Sequence, residues 1–187
     1  MVSQKFSDPS VPAKRRMLAN RMELINEYPM FSQLELNMLG SCNRKCVFCP
    51  VSASDFYEKH DRYAKITLES YEKILQDLRL LSYRGVIVYS GLSEPLLMKD
   101  IGEYIARTKE ILPETHLEII TNGDVLNSRR LKMLFESGLD RLKISMYDGV
   151  EQIEKFQRMC QYAGIEEKKV LLRRRYIENG NYGITIS

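Results

Sequence analysis

Short runs of alternating hydrophobic and polar residues predict β-strands, and most are separated by longer stretches with helical spacing. The predicted strands cover residues 33–38, 85–90, 116–122, 141–147 and 170–177. The predicted helices cover residues 67–81, 100–112, 128–138 and 150–164, with N-caps at Thr67, Asp100 and Ser128. Strands that alternate with helices are typical of a parallel sheet with helical crossovers.

The two ends of the chain and one internal segment have a different character. Residues 1–30 predict a polar lead-in followed by a short helix over 13–28, and residues 51–65 predict a long irregular loop. Residues 31–187 predict a single core domain. The strand-like ending at 182–187 has no helix to cover it, so we expect the domain to be truncated, with a C-terminal domain absent.

The strand over 141–147 has one apolar face and one polar face. Lys143, Ser145 and Tyr147 share the polar face. A parallel strand that is buried on both sides is normally apolar throughout. A polar inner face therefore predicts a barrel or partial barrel whose interior binds a ligand.

Composition narrows the function classes. The chain has 187 residues, of which 44% are hydrophobic and 28% charged, and no apolar run approaches membrane-spanning length. The net charge of +3 is too small to indicate nucleic-acid binding by itself. Three of the four cysteines are crowded together, which favours a reducing cytoplasm over a disulfide framework.

Those three cysteines, Cys42, Cys46 and Cys49, follow the first predicted strand with the spacing C-x3-C-x2-C, and Phe48 precedes the third. A closed zinc site needs four ligands, and an ordinary cubane cluster needs four cysteines. Three thiolates therefore predict a cluster with one iron open to an external amine and carboxylate. A structural zinc site completed by Cys160 or a histidine stays open as an alternative.

The cysteine motif resembles that of the radical S-adenosylmethionine (SAM) enzymes, and residues 90–97 resemble that family's Gly-Gly-Glu-Pro segment. The resemblance covers residues 31–177 and implies a partial (β/α) barrel, incomplete at the C-terminus. It implies a [4Fe–4S] cluster that reductively cleaves SAM to a 5′-deoxyadenosyl radical, which abstracts hydrogen from a peptide, protein or small-molecule substrate. It also implies oxidoreductase-type chemistry and an electron donor of the flavodoxin or ferredoxin type.

The resemblance also implies roles for single residues. The three cysteines ligate the cluster, and Glu94 with the backbone of Leu92 and Ser93 holds the SAM ammonium group. Leu92 and Ser93 replace the two glycines of the family pattern, which is a departure. Ser145 and Arg173 are further SAM contacts; Arg173 shares a strand face with Arg175, while Arg174 faces the other way.

The wording of these motifs, together with Thr121-Asn122-Gly123, resembles most the branch that carries a C-terminal auxiliary-cluster domain of the SPASM type. Two other interpretations stay open. One is a non-enzymatic Fe–S or zinc-binding module. The other is a degenerate relative that binds SAM without cleaving it.

Overall fold

The computed structural model describes residues 24–25, 28–176 and 185–186. The strands are β1 (Leu24–Ile25), β2 (Tyr28–Pro29), β3 (Gln33–Leu36), β4 (Arg44–Lys45), β5 (Val86–Tyr89), β6 (His116–Thr121), β7 (Arg141–Met146), β8 (Val170–Arg174) and β9 (Thr185–Ile186). The α-helices are α1 (Phe56–Lys59), α2 (Leu68–Leu80), α3 (Ile101–Ile111), α4 (Ser128–Glu136) and α5 (Glu151–Ala163). Short 3₁₀ turns cover Pro50–Ser52, Pro95–Leu97 and Glu167–Lys169.

The main sheet has five strands in the order β3-β5-β6-β7-β8, and every neighbouring pair is parallel. Strands that are adjacent in this sheet are joined by helical crossovers, which confirms the predicted fold class. Because the strands are parallel, their carboxyl ends meet at one edge of the sheet. The loops that follow β3, β5, β6 and β7 therefore converge there.

The two faces of the sheet bury different side chains. The outer face is apolar, and its residues Ile87, Leu117 and Leu142 join the helices in one hydrophobic core. On the inner face Lys143 and Ser145 are 4% and 3% exposed, so polar groups are buried on this side. The predicted polar inner face is therefore confirmed. None of the helices in the described ranges is long and apolar enough to cross a membrane.

The predicted helix over 13–28 is wrong at its end. β1 and β2 pair as antiparallel strands, with Leu24 opposite Pro29. Proline disfavours the helical conformation in the residue before it, and an isolated helix of this length is marginal, so pairing between strands prevails. Residues 13–23 of that prediction lie outside the described residues.

The predicted loop over 51–65 contains one 3₁₀ turn and the single helical turn α1. Towards the C-terminus, β9 falls inside the predicted strand-like ending and pairs antiparallel with β4. This pairing brings Thr185–Ile186 against the cysteine loop.

The helix caps agree with the predictions in one case of three. The Thr67 hydroxyl accepts from the Ser70 N–H at 3.1 Å, as predicted. Asn127, not Ser128, caps α4: the helix begins at Ser128, so Asn127 occupies the cap position with extended backbone, and its side-chain oxygen accepts from the Arg130 N–H at 2.9 Å.

The capping box predicted at Asp100 is also wrong. The Asp100 carboxylate makes no cap hydrogen bond and instead accepts from Lys65 at 2.5 Å. The ammonium group of Lys65, from the loop before α2, therefore replaces the N-terminus of α3 as the partner of this carboxylate.

Candidate active site

A cavity of about 240 Å³ opens at the carboxyl ends of the strands. It brings together every site residue that the sequence predicted: Cys42, Cys46, Cys49, Leu92, Ser93, Glu94, Ser145 and Arg173. Ligands of α/β sheets and barrels commonly bind at this edge, because the connecting loops converge there.

The three site cysteines lie on the loop that follows β3, and all are free thiols. The Cys49 N–H donates to the Cys46 carbonyl at 2.8 Å, which closes a tight turn between the two ligand candidates. The Ser52 hydroxyl donates to the same carbonyl at 2.7 Å. These bonds orient the second and third thiols within one short segment.

The thiols sit in a partly desolvated setting. Burial raises the pKa of Cys42, with contributions from Glu94 and Cys49. Burial, together with the thiols of Cys42 and Cys49, raises the pKa of Cys46 to about 11. Thiols of this kind need a positive partner to ionise, and bound iron supplies such a charge.

Within the described ranges, no group of three or more His, Cys, Asp or Glu side chains is arranged to hold a single metal ion. The thiols of Cys42, Cys46 and Cys49 line the cavity described above. Their soft donors, spread around one cavity, fit a cluster that offers a separate iron to each thiolate.

Glu94 links the loop after β5 to the end of β6. The residue is 2% exposed. Its Oε1 accepts from the Leu96 N–H at 3.0 Å and from the Thr121 hydroxyl at 2.6 Å. Oε2 accepts from the Asn122 N–H at 2.8 Å. Burial raises the pKa of Glu94, and these hydrogen bonds oppose the rise. From the part of the chain that the structure describes, Oε2 accepts the one hydrogen bond from Asn122, whereas a carboxylate oxygen can accept two.

Gly91 directly precedes Leu92 and Ser93, the two residues that replace the glycines of the Gly-Gly-Glu-Pro pattern. It has φ +102°, and a Cβ there would lie 2.8 Å from Asn37 Oδ1. Ser93 donates its hydroxyl to the same oxygen at 2.8 Å. The close backbone approach that glycine permits therefore occurs at 91, one position before the pair that Leu92 and Ser93 replace.

Side chains from β7, from the segment directly after it and from β8 complete the wall of the cavity. Ser145, Arg173 and Tyr147 line it, and Arg175 joins them from the segment after β8. Burial raises the pKa of Tyr147, and a hydrogen bond with Ser145 lowers it. Arg174 turns to the other side, where it donates to the Tyr176 carbonyl at 3.3 Å, as strand alternation predicts.

Sequence reasoning missed a charged network beside the cysteines. Arg44, which lies between Cys42 and Cys46, donates to Asp124 through Nε at 2.6 Å and to Asp148 through Nη1 at 2.7 Å. Burial acts against this charged guanidinium, but the two carboxylates outweigh it and raise the pKa of Arg44. A signal existed, because Asp124 and Asp148 follow neighbouring parallel strands.

Asn122 connects this network to the first cysteine. Its side-chain amide donates to Asn43 Oδ1 at 2.8 Å and lies 4.0 Å from Cys42 Sγ. Asn122 therefore contacts the cysteine loop directly.

Comparison with known proteins identifies the family of this chain. Residues 36–185 match the family model of the Radical SAM superfamily. The chain belongs to that superfamily. Its members use a [4Fe–4S] cluster and SAM as cofactors and need a reductant.

Two curated relatives show how far the similarity extends. The SAM-dependent 2-deoxy-scyllo-inosamine dehydrogenase of Niallia circulans is 31% identical over 143 residues, which cover 76% of this chain and 55% of the relative. The probable GTP 3′,8-cyclase of Methanocella arvoryzae is 32% identical over 117 residues, which cover 62% of this chain and 34% of the relative. The chain thus spans about half the length of the first relative and a third of the second.

Solved structures show the same fold. BtrN in complex with AdoMet and 2-DOIA superposes with a TM-score of 0.65 at 27% identity, covering 78% of this chain and 57% of BtrN. Native anSMEcpe with bound AdoMet gives a TM-score of 0.55 at 17% identity, covering 76% of this chain and 42% of anSMEcpe, and shows the fold alone.

Proposed function

We propose that this chain is the catalytic core of a radical SAM enzyme in which Cys42, Cys46 and Cys49 ligate the [4Fe–4S] cluster. When bound, the cluster supplies the electron that cleaves SAM to methionine and a hydrogen-abstracting 5′-deoxyadenosyl radical. The observation that carries the proposal is the shared cavity, which all three cysteines line together with Glu94. The protein's own task is to orient the groups and to shield them from water.

The SAM ammonium group is assigned to Glu94 with the backbone of Leu92 and Ser93. Support comes from the lining of the cavity by all three residues, and from Glu94 Oε2, which accepts one hydrogen bond from the described residues and can accept two. Thr121 and Asn122 hold the carboxylate in place, so the acceptor is oriented before a ligand arrives.

Ser145 and Arg173 are assigned to the remaining polar atoms of SAM, with Arg173 pairing with its carboxylate. Arg173 is 9% exposed and Ser145 is 3% exposed, and both line the cavity from adjacent strands. A guanidinium suits this role because its planar donors match the two oxygens of a carboxylate.

The proposal extends to the setting of the enzyme. The reductant is assigned to the flavodoxin or ferredoxin type, and the compartment to the reducing cytoplasm, which is consistent with four free thiols.

The two relatives are named for 2-deoxy-scyllo-inosamine and for GTP. Because these substrates differ in kind, the proposal stops at the reaction class, hydrogen abstraction from an organic substrate. Membership in the auxiliary-cluster branch stays a prediction.

The test uses anaerobically reconstituted protein reduced with dithionite. We expect an EPR signal of a [4Fe–4S] cluster that changes when SAM is added, and 5′-deoxyadenosine among the products. A change without 5′-deoxyadenosine would indicate a degenerate SAM-binding relative. A cluster that ignores SAM, or the absence of a cluster, would support a structural metal site and contradict the proposal.

Two variants test which cysteines ligate the cluster, and a third tests the carboxylate assigned to SAM. Cys46→Ala should lose the cluster, whereas Cys160→Ala should keep full iron content, because Cys160 is buried at 3% exposure in the helical core. Glu94→Gln should keep the iron and weaken SAM binding by about tenfold, since a charge-assisted hydrogen bond is lost. Iron loss in Cys160→Ala would instead make that residue a fourth ligand.

A further inference from the structure

Arg44 joins the cysteine loop to the ends of two strands. Its side chain is 1% exposed and lies between the carboxylates of Asp124, after β6, and Asp148, after β7. Four donor–acceptor pairs connect them, at 2.6 Å and 2.5 Å to Asp124 and at 2.7 Å and 2.6 Å to Asp148. We call these three residues the arginine clamp.

The clamp acts directly on the position of the first cysteine. The backbone N–H of Arg44 donates to Cys42 Sγ at 3.4 Å. The neighbouring Asn43 donates its amide to Asp124 Oδ2 at 2.9 Å, so the same carboxylate holds two successive residues of the loop. Movement of the clamp would therefore move Cys42 and its hydrogen-bond donor together.

Both carboxylates are themselves held in place. The Asp124 N–H donates to Asn122 Oδ1 at 2.9 Å. The Asp148 N–H donates to Gln152 Oε1 and its carboxylate accepts from Gln152 Nε2, both at 3.0 Å. Because Gln152 is 5% exposed on α5, the clamp is anchored to the body of the fold.

The clamp also sets a local charge. One guanidinium faces two carboxylates, so the group carries a net charge of −1 beside the thiols. Negative charge near an Fe–S cluster stabilises its oxidised form, and charge and hydrogen bonds to sulfur both set its reduction potential. Removing the cation and removing an anion should therefore shift that potential in opposite directions.

We propose that Arg44 is a positioning residue that organises the cysteine loop before the cluster binds, and that the net negative charge which the two carboxylates give the clamp lowers the reduction potential of the bound cluster. The proposal rests on the function proposed above. It adds residues outside the ligand set, and it explains why a buried arginine lies inside the cysteine motif.

The first experiment uses the metal-free chain and needs no cofactor. Amide hydrogen exchange over residues 43–49 should be faster in Arg44→Met than in the wild type, because the loop loses its anchor. Lys59→Met is the matched control: it removes an exposed cation that pairs with Asp55, four residues away along the chain, and it should leave exchange over 43–49 unchanged. Equal exchange in Arg44→Met and the wild type would overturn the positioning role.

The second experiment measures iron retention and the potential of the reconstituted cluster by EPR-monitored redox titration. Arg44→Met should weaken cluster retention by about 10- to 100-fold, the usual effect of losing a group that orients a ligand. Any cluster it keeps should have a lower potential, whereas Asp148→Asn should have a higher one. Arg44→Lys keeps the charge and loses the forked geometry, so its potential should match the wild type while its retention falls.

Potential shifts of the same sign in Arg44→Met and Asp148→Asn, or no shift in Asp148→Asn, would overturn the electrostatic role. If the wild type itself binds no cluster, the proposed function fails, and the exchange experiment still decides whether the clamp positions the loop.

Discussion

Two ion networks lie on the inner side of the sheet, one among the strands and one at the mouth, and they are built in different ways. Among the strands, Glu118 contacts Lys143, and Arg141 Nη1 and His116 Nε2 each lie 3.3 Å from Glu118 Oε1. The Glu118 and Lys143 side chains are only 1% and 5% exposed. This network joins β6 to its neighbour β7 and lies below the residues that line the cavity.

The arginine clamp at the mouth has the reverse charge ratio, with two carboxylates to one guanidinium. Asp124 and Asp148 lie 80 and 104 residues from Arg44 in the sequence, and the Asp148 side chain is 31% exposed. The same type of interaction, an ion pair that involves a buried side chain, therefore serves two purposes in this molecule. Among the strands it satisfies buried charge within the sheet, and at the mouth it fixes loops that carry the site.

Glu118→Gln should produce the largest loss of stability. It leaves the Lys143 ammonium buried without its carboxylate, at a cost of about 3–5 kcal/mol in the free energy of unfolding. Urea denaturation of the metal-free protein measures it. The double variant Glu118→Leu with Lys143→Met should recover most of the loss, because no unpaired charge remains.

The matched control for that variant is Glu154→Gln on the exposed surface. Glu154 and Arg158 pair at 3.6 Å with side chains 73% and 61% exposed, so the loss should be below about 1 kcal/mol. A similar loss in both variants would remove the distinction between buried and exposed pairs.

Acid should weaken the network among the strands through the same carboxylate. Burial acts to raise the pKa of Glu118, but the nearby His116 and Lys143 outweigh it and lower the pKa from 4.5 to about 2. A lowered pKa means that the carboxylate stabilises the fold fully above pH 4.5 and that this contribution disappears as the pH falls towards 2. The contribution is at most about 3 kcal/mol.

The measurement is the free energy of unfolding of the wild type and of Glu118→Gln as a function of pH. The difference between the two proteins should be constant near neutral pH and shrink as the pH falls below about 4.5. A difference that grows in acid would show that another group is responsible.

At the mouth, the backbone of the turn after β6 should matter more to stability than any single charge. Gly123 has φ +76°, and a Cβ there would lie 2.7 Å from the Phe156 ring and 2.9 Å from Ile144. Gly123→Ala should therefore destabilise the fold by about 2–3 kcal/mol, from backbone strain and overpacking together.

Gly164→Ala separates these two causes. Gly164 has φ +66° and nothing within 4 Å of a built Cβ, so only the strain of about 1 kcal/mol remains. Thermal or urea unfolding of both variants measures the difference. Equal losses would mean that packing against Phe156 adds nothing at the mouth.

Asp148→Asn should have the smallest effect on stability, about 1 kcal/mol, because the asparagine oxygen can still accept from Arg44 and the Asp148 side chain is 31% exposed. Urea denaturation of the metal-free chain checks this. A loss as large as that of Glu118→Gln would contradict the division between a stabilising network and a positioning one.

Much of the fold could be predicted because its signals are local. The alternation in 141–147 and the helical spacing after Thr67 reflect periods of two and 3.6 residues, and both were confirmed. The helix predicted up to Tyr28 was wrong, because β1 and β2 pair instead. The cap predicted at Asp100 was wrong, because the Asp100 carboxylate accepts a hydrogen bond from Lys65 instead.

The sequence by itself determined the parallel sheet, the superfamily motifs and the candidate site residues Cys42, Cys46, Cys49 and Glu94, because these depend on spacing along the chain. Only the tertiary structure decided that Arg44 is buried between Asp124 and Asp148, and that Glu94 is held by the end of β6. The physical reason is that parallel strands deliver distant segments to one edge. Which side chains meet there depends on register and loop paths, and no local pattern encodes these.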